Sequence, residues 1–324
     1  MIALQESLSD FLVYMRQMLP SRNPETLYEP VHYIMNLGGK RIRPVLALWA
    51  CEASGAEKEK ALPVAMAVEA FHNFSLIHDD IMDEAPLRRG KDTVHKKWNS
   101  NTGILSGDVL LVCAYQYLEH YEGNQFKQIT KTFSETARWV CEGQQMDMDF
   151  PLQQRIALAA YIEMITKKTA VLMGASLKMG ALAAGLSLEK SDLFYQFGEN
   201  IGIAFQLQDD FLDAFGDPET FGKQVGGDII ENKKTYLYLY ALEHLPEKEA
   251  QTLRNLFETH PEENLSKIEL VKKLFEQSGA TKAIQQRMRA FLEKAFKALD
   301  QLALAPEHDT RFRDLARFLI QREV

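Results

Sequence analysis

His78-Asp79-Asp80-Ile81-Met82-Asp83 and Gln208-Asp209-Asp210-Phe211-Leu212-Asp213 share one pattern, D-D-x-x-D. In a helix, residues four apart stack on one face, one turn apart. Asp79 therefore lies over Asp83 and Asp209 over Asp213, with Asp80 and Asp210 alongside. Like charges at this spacing destabilise a helix. Helix breakers follow both triplets: Glu84-Ala85-Pro86 after the first, Phe215-Gly216-Asp217-Pro218 after the second. A helix C-terminus carries partial negative charge, which disfavours carboxylates a second time. A cation between the triplets answers both penalties. Oxygen ligands with no His or Cys among them suit a hard ion, most simply Mg²⁺. A single triplet would read as a solvated helix end. Two copies, both set in apolar sequence such as Leu76-Ile77 and Ile203-Ala204-Phe205, favour a metal site. Buried carboxylates without compensation would be very costly.

The chain has 324 residues, a length that suggests two domains, yet no Pro-, Gly- or Ser-rich linker divides it. A single domain, 1–324, is expected. Apolar content of 46% is ample for a core. The net charge of -8 argues against nucleic acid or an acidic membrane as partner. An anionic ligand would need local neutralisation by metal or clustered Lys and Arg. Cys51, Cys113 and Cys141 have neither C-x-x-C nor zinc spacing. They read as buried small hydrophobes in a reducing compartment, so the cytoplasm is expected. Residues 1–19 read as an amphipathic helix, not a signal peptide. The apolar region Thr169–Leu188 holds Lys178 and several glycines, so no membrane span is expected.

Helical periodicity dominates and strict alternation is scarce. Helices are expected over 2–18, from Pro24 to Gly38-Gly39, from Pro44 to near Gly55, and over 57–84, the last apolar on most faces and so central. Further helices are expected over 102–121, 125–149, 154–173 and 188–215. Residues 85–92 and 217–232 read as loops, and 233–324 as amphipathic helices. The helices over 57–84 and 188–215 look like a pseudo-repeat, each ending in a triplet.

Basic residues surround the acidic ones. Gly38-Gly39-Lys40-Arg41-Ile42-Arg43-Pro44 puts three cations at a glycine turn entering a helix, where backbone N–H groups favour phosphate. Leu87-Arg88-Arg89-Gly90 follows the first triplet; surface salt bridges there would be worth little, but arginines can also hold phosphate oxygens. Phe221-Gly222-Lys223 and Asn232-Lys233-Lys234-Thr235 follow the second, and Lys167-Lys168-Thr169-Ala170 precedes an apolar helix. Cations interleaved with acidic metal ligands around an apolar interior imply a ligand with a polyphosphate head and a greasy tail. Neither nucleotide loop, G-x-x-x-x-G-K-[ST] or G-x-G-x-x-G, is present.

Together these residues resemble the trans-isoprenyl diphosphate synthases, or polyprenyl synthetases. G-G-K-R-x-R-P, H-D-D-x-x-D-x-x-x-x-R-R-G, G-Q-x-x-D, K-T-A, F-Q-x-x-D-D-x-x-D, G-K and K-K-T occur in family order between Gly38 and Thr235. The resemblance implies an all-α bundle around a deep central cavity, the isoprenoid synthase type I fold, and a homodimer. It implies an allylic diphosphate held between the triplets on three Mg²⁺ ions. Asp79, Asp83 and Asp209 would be the main ligands, with Asp80, Asp210 and Asp213 in support. Arg88, Lys168 and Lys223 would bind the same diphosphate, helped by Lys233. Isopentenyl diphosphate would bind without metal to Lys40, Arg43, His72 and Arg89, and Gln144 and Asp147 would lie in the cavity wall. Metal and cations would stabilise departing pyrophosphate. Carbonyls near Lys168 and Thr169, with Gln206, would stabilise the allylic cation. The loops at 85–92 and 217–232 would exclude water as lids.

Product length is read from the helix before the first triplet. At a rise of ~1.5 Å per residue, Phe74 lies roughly 7–8 Å below Asp79 and Phe71 about 12 Å. Core packing is the plain alternative for both. An aromatic five positions before the motif, with Ser75 breaking an aromatic pair, resembles enzymes that make C20 geranylgeranyl diphosphate; C15 farnesyl diphosphate is the near alternative. A class I terpene cyclase would replace the second triplet with N-x-x-x-[ST]-x-x-x-E, and a non-catalytic partner subunit commonly loses one motif. This chain keeps both.

Overall fold

The structure, a computed structural model, describes residues 2–217, 225–259 and 265–320. It is 81% helical, and its strands among the described residues are two short segments, so the expected all-α class holds. In chain order the elements are α1 (Ile2–Met18), α2 (Glu25–Asn36), α3 (Ile42–Ala53), α4 (Leu62–Met82), β1 (Leu87–Arg88), β2 (Lys91–Asp92), α5 (Val94–Lys97), α6 (Ser100–Leu118) and α7 (Gly123–Asp149). They continue as α8 (Leu158–Ile165), α9 (Val171–Ala183), α10 (Leu188–Phe215), α11 (Gly227–Ile230), α12 (Tyr236–His244), α13 (Glu247–Leu256), α14 (Leu265–Ser278), α15 (Ala280–Leu302) and α16 (Pro306–Ile320). Among the described residues no helix is long and apolar enough to cross a membrane.

The chain divides into two compact units, residues 1–137 with 172–195 and residues 138–171 with 196–324. Each unit draws on two separate stretches of chain, and the three divisions fall inside α7, at the first residue of α9 and inside α10. That is why the sequence shows no linker.

In the first unit α4 is the central element and packs against α1, α2, α3 and α6. Every residue from Pro63 to Phe71 is buried, as its apolar sequence predicts for a helix with no solvent face. A 3₁₀ turn at Lys58–Ala61 precedes α4, so the helix begins at Leu62 and not at Glu57 as expected. Pro63 explains this: proline lacks an N–H and clashes with the preceding turn, so it is tolerated only at a helix start. The expected loop 85–92 contains an antiparallel β1–β2 pair, Leu87 opposite Asp92 and Arg88 opposite Lys91. Cys51 and Cys113 are buried as expected, but Cys141 is exposed on α7 because it lies outside that helix's apolar stripe.

In the second unit α12 packs against α8, α13, α14 and α15. Its Tyr236, Leu237, Tyr238 and Leu239 are all buried in one apolar core with Leu207, Phe211 and Leu212 of α10. The helix expected over 154–173 starts at Leu158, and the chain stays helical through a π-helical turn, Thr166–Ala170, into α9. The described part of the 217–232 loop includes the single turn α11.

Close packing leaves some positions no room. A Cβ on Gly180 of α9 would collide with the carbonyl of Ala47 on α3. Gly180→Ala is expected to cost about 1–3 kcal/mol through overpacking. Differential scanning calorimetry should show this as a clear fall in Tm; an unchanged Tm would mean the two backbones are not in contact.

Candidate active site

The first triplet closes α4. Asp79 and Asp80 lie in its last turn, and Asp83 is the C-cap, its N–H donating to the Asp79 carbonyl at 2.9 Å. The chain then leaves the helix through Glu84, at φ 50. Asp80 is buried at 1% exposure, Asp79 is half-buried and Asp83 is exposed. The β1–β2 turn returns Arg88 to the triplet. Arg88 Nε donates to Oδ1 and Oδ2 of Asp80 at 2.9 and 2.8 Å, and Nη2 donates to Oδ1 at 2.7 Å. Nη2 also lies 3.5 Å from Asp79 Oδ2. Burial pushes the Asp80 carboxyl up from its ordinary pKa, and Arg88 opposes that push.

The basic turn sits in the same unit. Gly39, at φ 115, leaves space for Arg89, since a Cβ there would lie 2.7 Å from the Arg89 Cζ. Arg89 Nη1 donates to the Gly38 carbonyl. Arg43 Nη1 lies 3.4 Å from His72 Nε2, while Lys40 is exposed. Burial, and then Arg43, Arg89, Arg88 and Arg41, hold the His72 imidazole well below its ordinary pKa, so it is neutral near pH 7. Arg43, His72 and Arg89 are thus brought together. Arg41 does not face outward as Lys40 does; it is buried against Glu69. Glu69 is absent from the motifs above, but it is the one charge in the apolar run Leu62–Phe71, and that is its signal in the sequence.

Phe71 and Phe74 also lie on α4. Phe71 is fully buried, its ring centroid 5.5 Å from that of Phe133. Phe74 is half-buried, 5.5 Å from Phe71 and 4.8 Å from the His78 ring. Phe71 thus belongs to the core and Phe74 stands in front of it.

The second triplet lies near the end of α10, in the second unit. Asp210 is buried; Tyr161 of α8 donates to its Oδ2, and Gln206 Nε2 donates to its Oδ1 at 3.1 Å. Burial and then Asp228 push the Asp210 carboxyl up to about 8, against the pull of Tyr161 and Gln206. Thr169 Oγ1 donates to Gln206 Oε1 at 3.2 Å, so a chain of hydrogen bonds joins the π turn to the triplet. Asp213 Oδ1 accepts from the Asp228 N–H at 2.9 Å. Tyr161 was not singled out in the sequence; its signal was a tyrosine in an apolar helix, whose hydroxyl needs a partner once buried.

The π turn carries Lys168 and Thr169. Such turns are often found at functional sites. Gly143 of α7 has no room for a Cβ against the Lys168 backbone, and a Cβ on Gly202 of α10 would lie 2.7 Å from Ala170 Cα. The glycine of G-Q-x-x-D is therefore a packing requirement. Lys168 Nζ donates to Asp147 Oδ2 at 2.5 Å, and Gln144 lies on α7 three residues before Asp147. Lys233 Nζ lies 2.8 Å from Glu231 and 3.6 Å from Asp228. Lys223 lies outside the described residues.

No three His, Cys, Asp or Glu side chains form a ready metal cage among the described residues. The donor set still fits Mg²⁺, which takes one or two carboxylates, keeps several waters and completes its shell with substrate phosphate. Asp79, Asp83, Asp209 and Asp213 offer carboxylate oxygen, and neither Asp79 nor Asp209 is fully buried.

Comparison with known proteins agrees with these motifs. Residues 24–276 match the family model described as polyprenyl synthetase. A geranylgeranyl diphosphate synthase of Methanosarcina mazei is 36% identical over 309 residues, covering 95% of this chain and 93% of that protein. A crystal structure of a geranylgeranyl pyrophosphate synthase superposes with TM-score 0.95 at 48% identity, covering 99% of both chains. A further one, from Corynebacterium glutamicum and complexed with isoprenyl diphosphate and magnesium, has TM-score 0.84 at 26% identity, covering 99% of this chain and 98% of that one. The chain belongs to the polyprenyl synthetase family.

Proposed function

We propose that the protein acts as one domain, 1–324, joining isopentenyl diphosphate head-to-tail (1'-4) to allylic diphosphates and stopping at C20 geranylgeranyl diphosphate. The observation that carries this reading is two acidic helix ends, each held by its own donors and accompanied by the family's ordered cations. Similarity to geranylgeranyl diphosphate synthases over nearly the whole chain supports both the reaction and the C20 product.

Asp79, Asp83 and Asp209 would hold Mg²⁺, three ions with the allylic diphosphate, with Asp80, Asp210 and Asp213 in support; the magnesium-bound relative supports that choice. Bound by these residues, magnesium would offset the charge that develops on the departing diphosphate. Arg88, Lys168, Lys223 and Lys233 add positive charge to the same group, the largest help available to a step that separates charge. Backbone carbonyls near Lys168 and Thr169, and the Gln206 side chain, face the allylic cation left behind. Lys40, Arg43 and Arg89 receive the isopentenyl diphosphate, and His72 serves as a neutral hydrogen-bonding group. The C=C bond of that substrate attacks C1 of the allylic cation, and the departing pyrophosphate takes the proton released. Gln144 lines the wall of the cavity, and the loops 85–92 and 217–232 keep water out. Phe74 forms the floor that limits the tail, with Phe71 behind it.

The proposed assembly is a homodimer. Ile104, Leu105 and Val112 of α6 are 43%, 59% and 55% exposed, an apolar stripe that a second copy would cover. Three unpaired cysteines support a cytoplasmic setting.

Asp79→Ala and Asp209→Ala should each lower turnover at least ~100-fold while the circular dichroism spectrum and Tm stay near wild type. Near-normal turnover in either variant would defeat the metal assignment. Phe74→Ala should shift products beyond C20 when the dephosphorylated prenyl alcohols are resolved by chromatography, and an unchanged profile would remove Phe74 as the floor. Because burial and four arginines keep His72 neutral, it should add no ionisation to the pH profile of kcat/KM for isopentenyl diphosphate between about pH 6 and 8. Wild type and His72→Gln should run parallel there. A wild-type inflection near 6.5 that His72→Gln lacks would mean that the imidazole works in its charged form.

A further inference from the structure

Glu69 lies on α4 ten residues before Asp79 and is 1% exposed. A buried carboxylate persists only with good partners. Arg41 Nη1 donates to Glu69 Oε1, and Asn73 Nδ2 donates to the same oxygen at 2.9 Å and to the Glu69 carbonyl at 2.8 Å. Arg41 Nη2 also donates to the Met35 carbonyl at 2.5 Å, near the end of α2. Arg41 itself sits in the left-handed region at φ 47, a conformation that a bulky residue keeps only where its surroundings fix it. Its guanidinium is therefore pinned to α2 and α4 at once, directly between Lys40 and Arg43 in the chain. The field of Glu69 also favours the charged forms of Arg43 and Arg89, against burial and the repulsion of neighbouring arginines.

We propose that Glu69 is a positioning residue for isopentenyl diphosphate: through Arg41 it sets the turn Gly38–Arg43 from which Lys40 and Arg43 reach the diphosphate. The proposal rests on the assignment of Lys40, Arg43, His72 and Arg89 to that substrate. Glu69 acts through Arg41 and touches no reacting atom, so its loss should appear in the binding of one substrate and not in the chemical step.

The test is steady-state kinetics of Glu69→Gln with each substrate varied in turn, together with calorimetric binding of isopentenyl diphosphate in the absence of added metal. The expected result is a KM for isopentenyl diphosphate raised about 10–100-fold, the range seen when groups that orient direct ligands are lost. The calorimetric Kd should weaken in parallel, kcat and the allylic KM should stay within about threefold, and Glu69→Asp should recover part of the loss. An unmoved KM for isopentenyl diphosphate, or a joint loss in kcat and both KM values with a fallen Tm, would overturn the proposal. Should Glu69→Gln fail to fold, the double variant Arg41→Met with Glu69→Leu decides the matter, because apolar replacement of a buried ion pair is often neutral for stability. It should show the same selective rise, and a wild-type KM there would overturn the role. Lys40→Ala and Arg43→Ala separate the two layers. If both leave that KM unchanged, the substrate assignment itself fails and the proposal falls with it. If both raise it while the Glu69 variants do not, only the role of Glu69 fails.

Discussion

Carboxylates placed at or near the C-terminal end of a helix meet the negative end of the macrodipole and one another, and the fold must hold them there without losing the helix. Both units meet this constraint in a similar way. The middle aspartate is turned inward and hydrogen-bonded, Asp80 to Arg88 and Asp210 to Tyr161 and Gln206. The outer members stay nearer solvent. The donors differ in charge, and so do the consequences. Arg88 brings a full positive charge to Asp80, whereas Asp210 accepts from the neutral donors Tyr161 and Gln206, and there burial, followed by Asp228, drives its carboxyl up to about 8.

The surrounding parts follow from that need. The β1–β2 turn is short because its task is to carry Arg88 back over eight residues to Asp80, and Thr93 fastens it by donating to the Ala85 carbonyl at 2.7 Å. The π turn adds one residue per turn to an otherwise regular helix, placing Thr169 within reach of Gln206 and Lys168 within reach of Asp147. At the basic turn, repulsion among Arg41, Arg43 and Arg89 is offset by a buried carboxylate, and Arg89 is laid across a glycine.

Much of this was legible in the sequence because it is local. Helical period, the two triplets and the glycine-flanked cations are each read within a dozen residues; the period suffices for the all-α class, and the order of all the motifs from Gly38 to Thr235 carries the resemblance to the family. What was not legible depends on distant packing. The partner of Asp210 is Tyr161, 49 residues away, and no spacing rule connects them. Arg41 stands among three similar cations, and only its buried contact with α4 separates it from Lys40 and Arg43. The division into two interleaved units was hidden because its boundaries run through continuous helices. The late start of α4 at Leu62 is legible in Pro63, which outweighs the helical period extended back to Glu57. Cys141 was misread because residue type was used in place of its position on the helix.

Gly143 and Gly202 enclose the π turn between them with no space for even a methyl group. Any mutant library aimed at new prenyl lengths would do well to keep both codons fixed, since variation there displaces main chain that all products share. Diversity is better spent at Phe74 and Ser75, where a substitution trades side-chain volume and leaves the backbone of the π turn as it is.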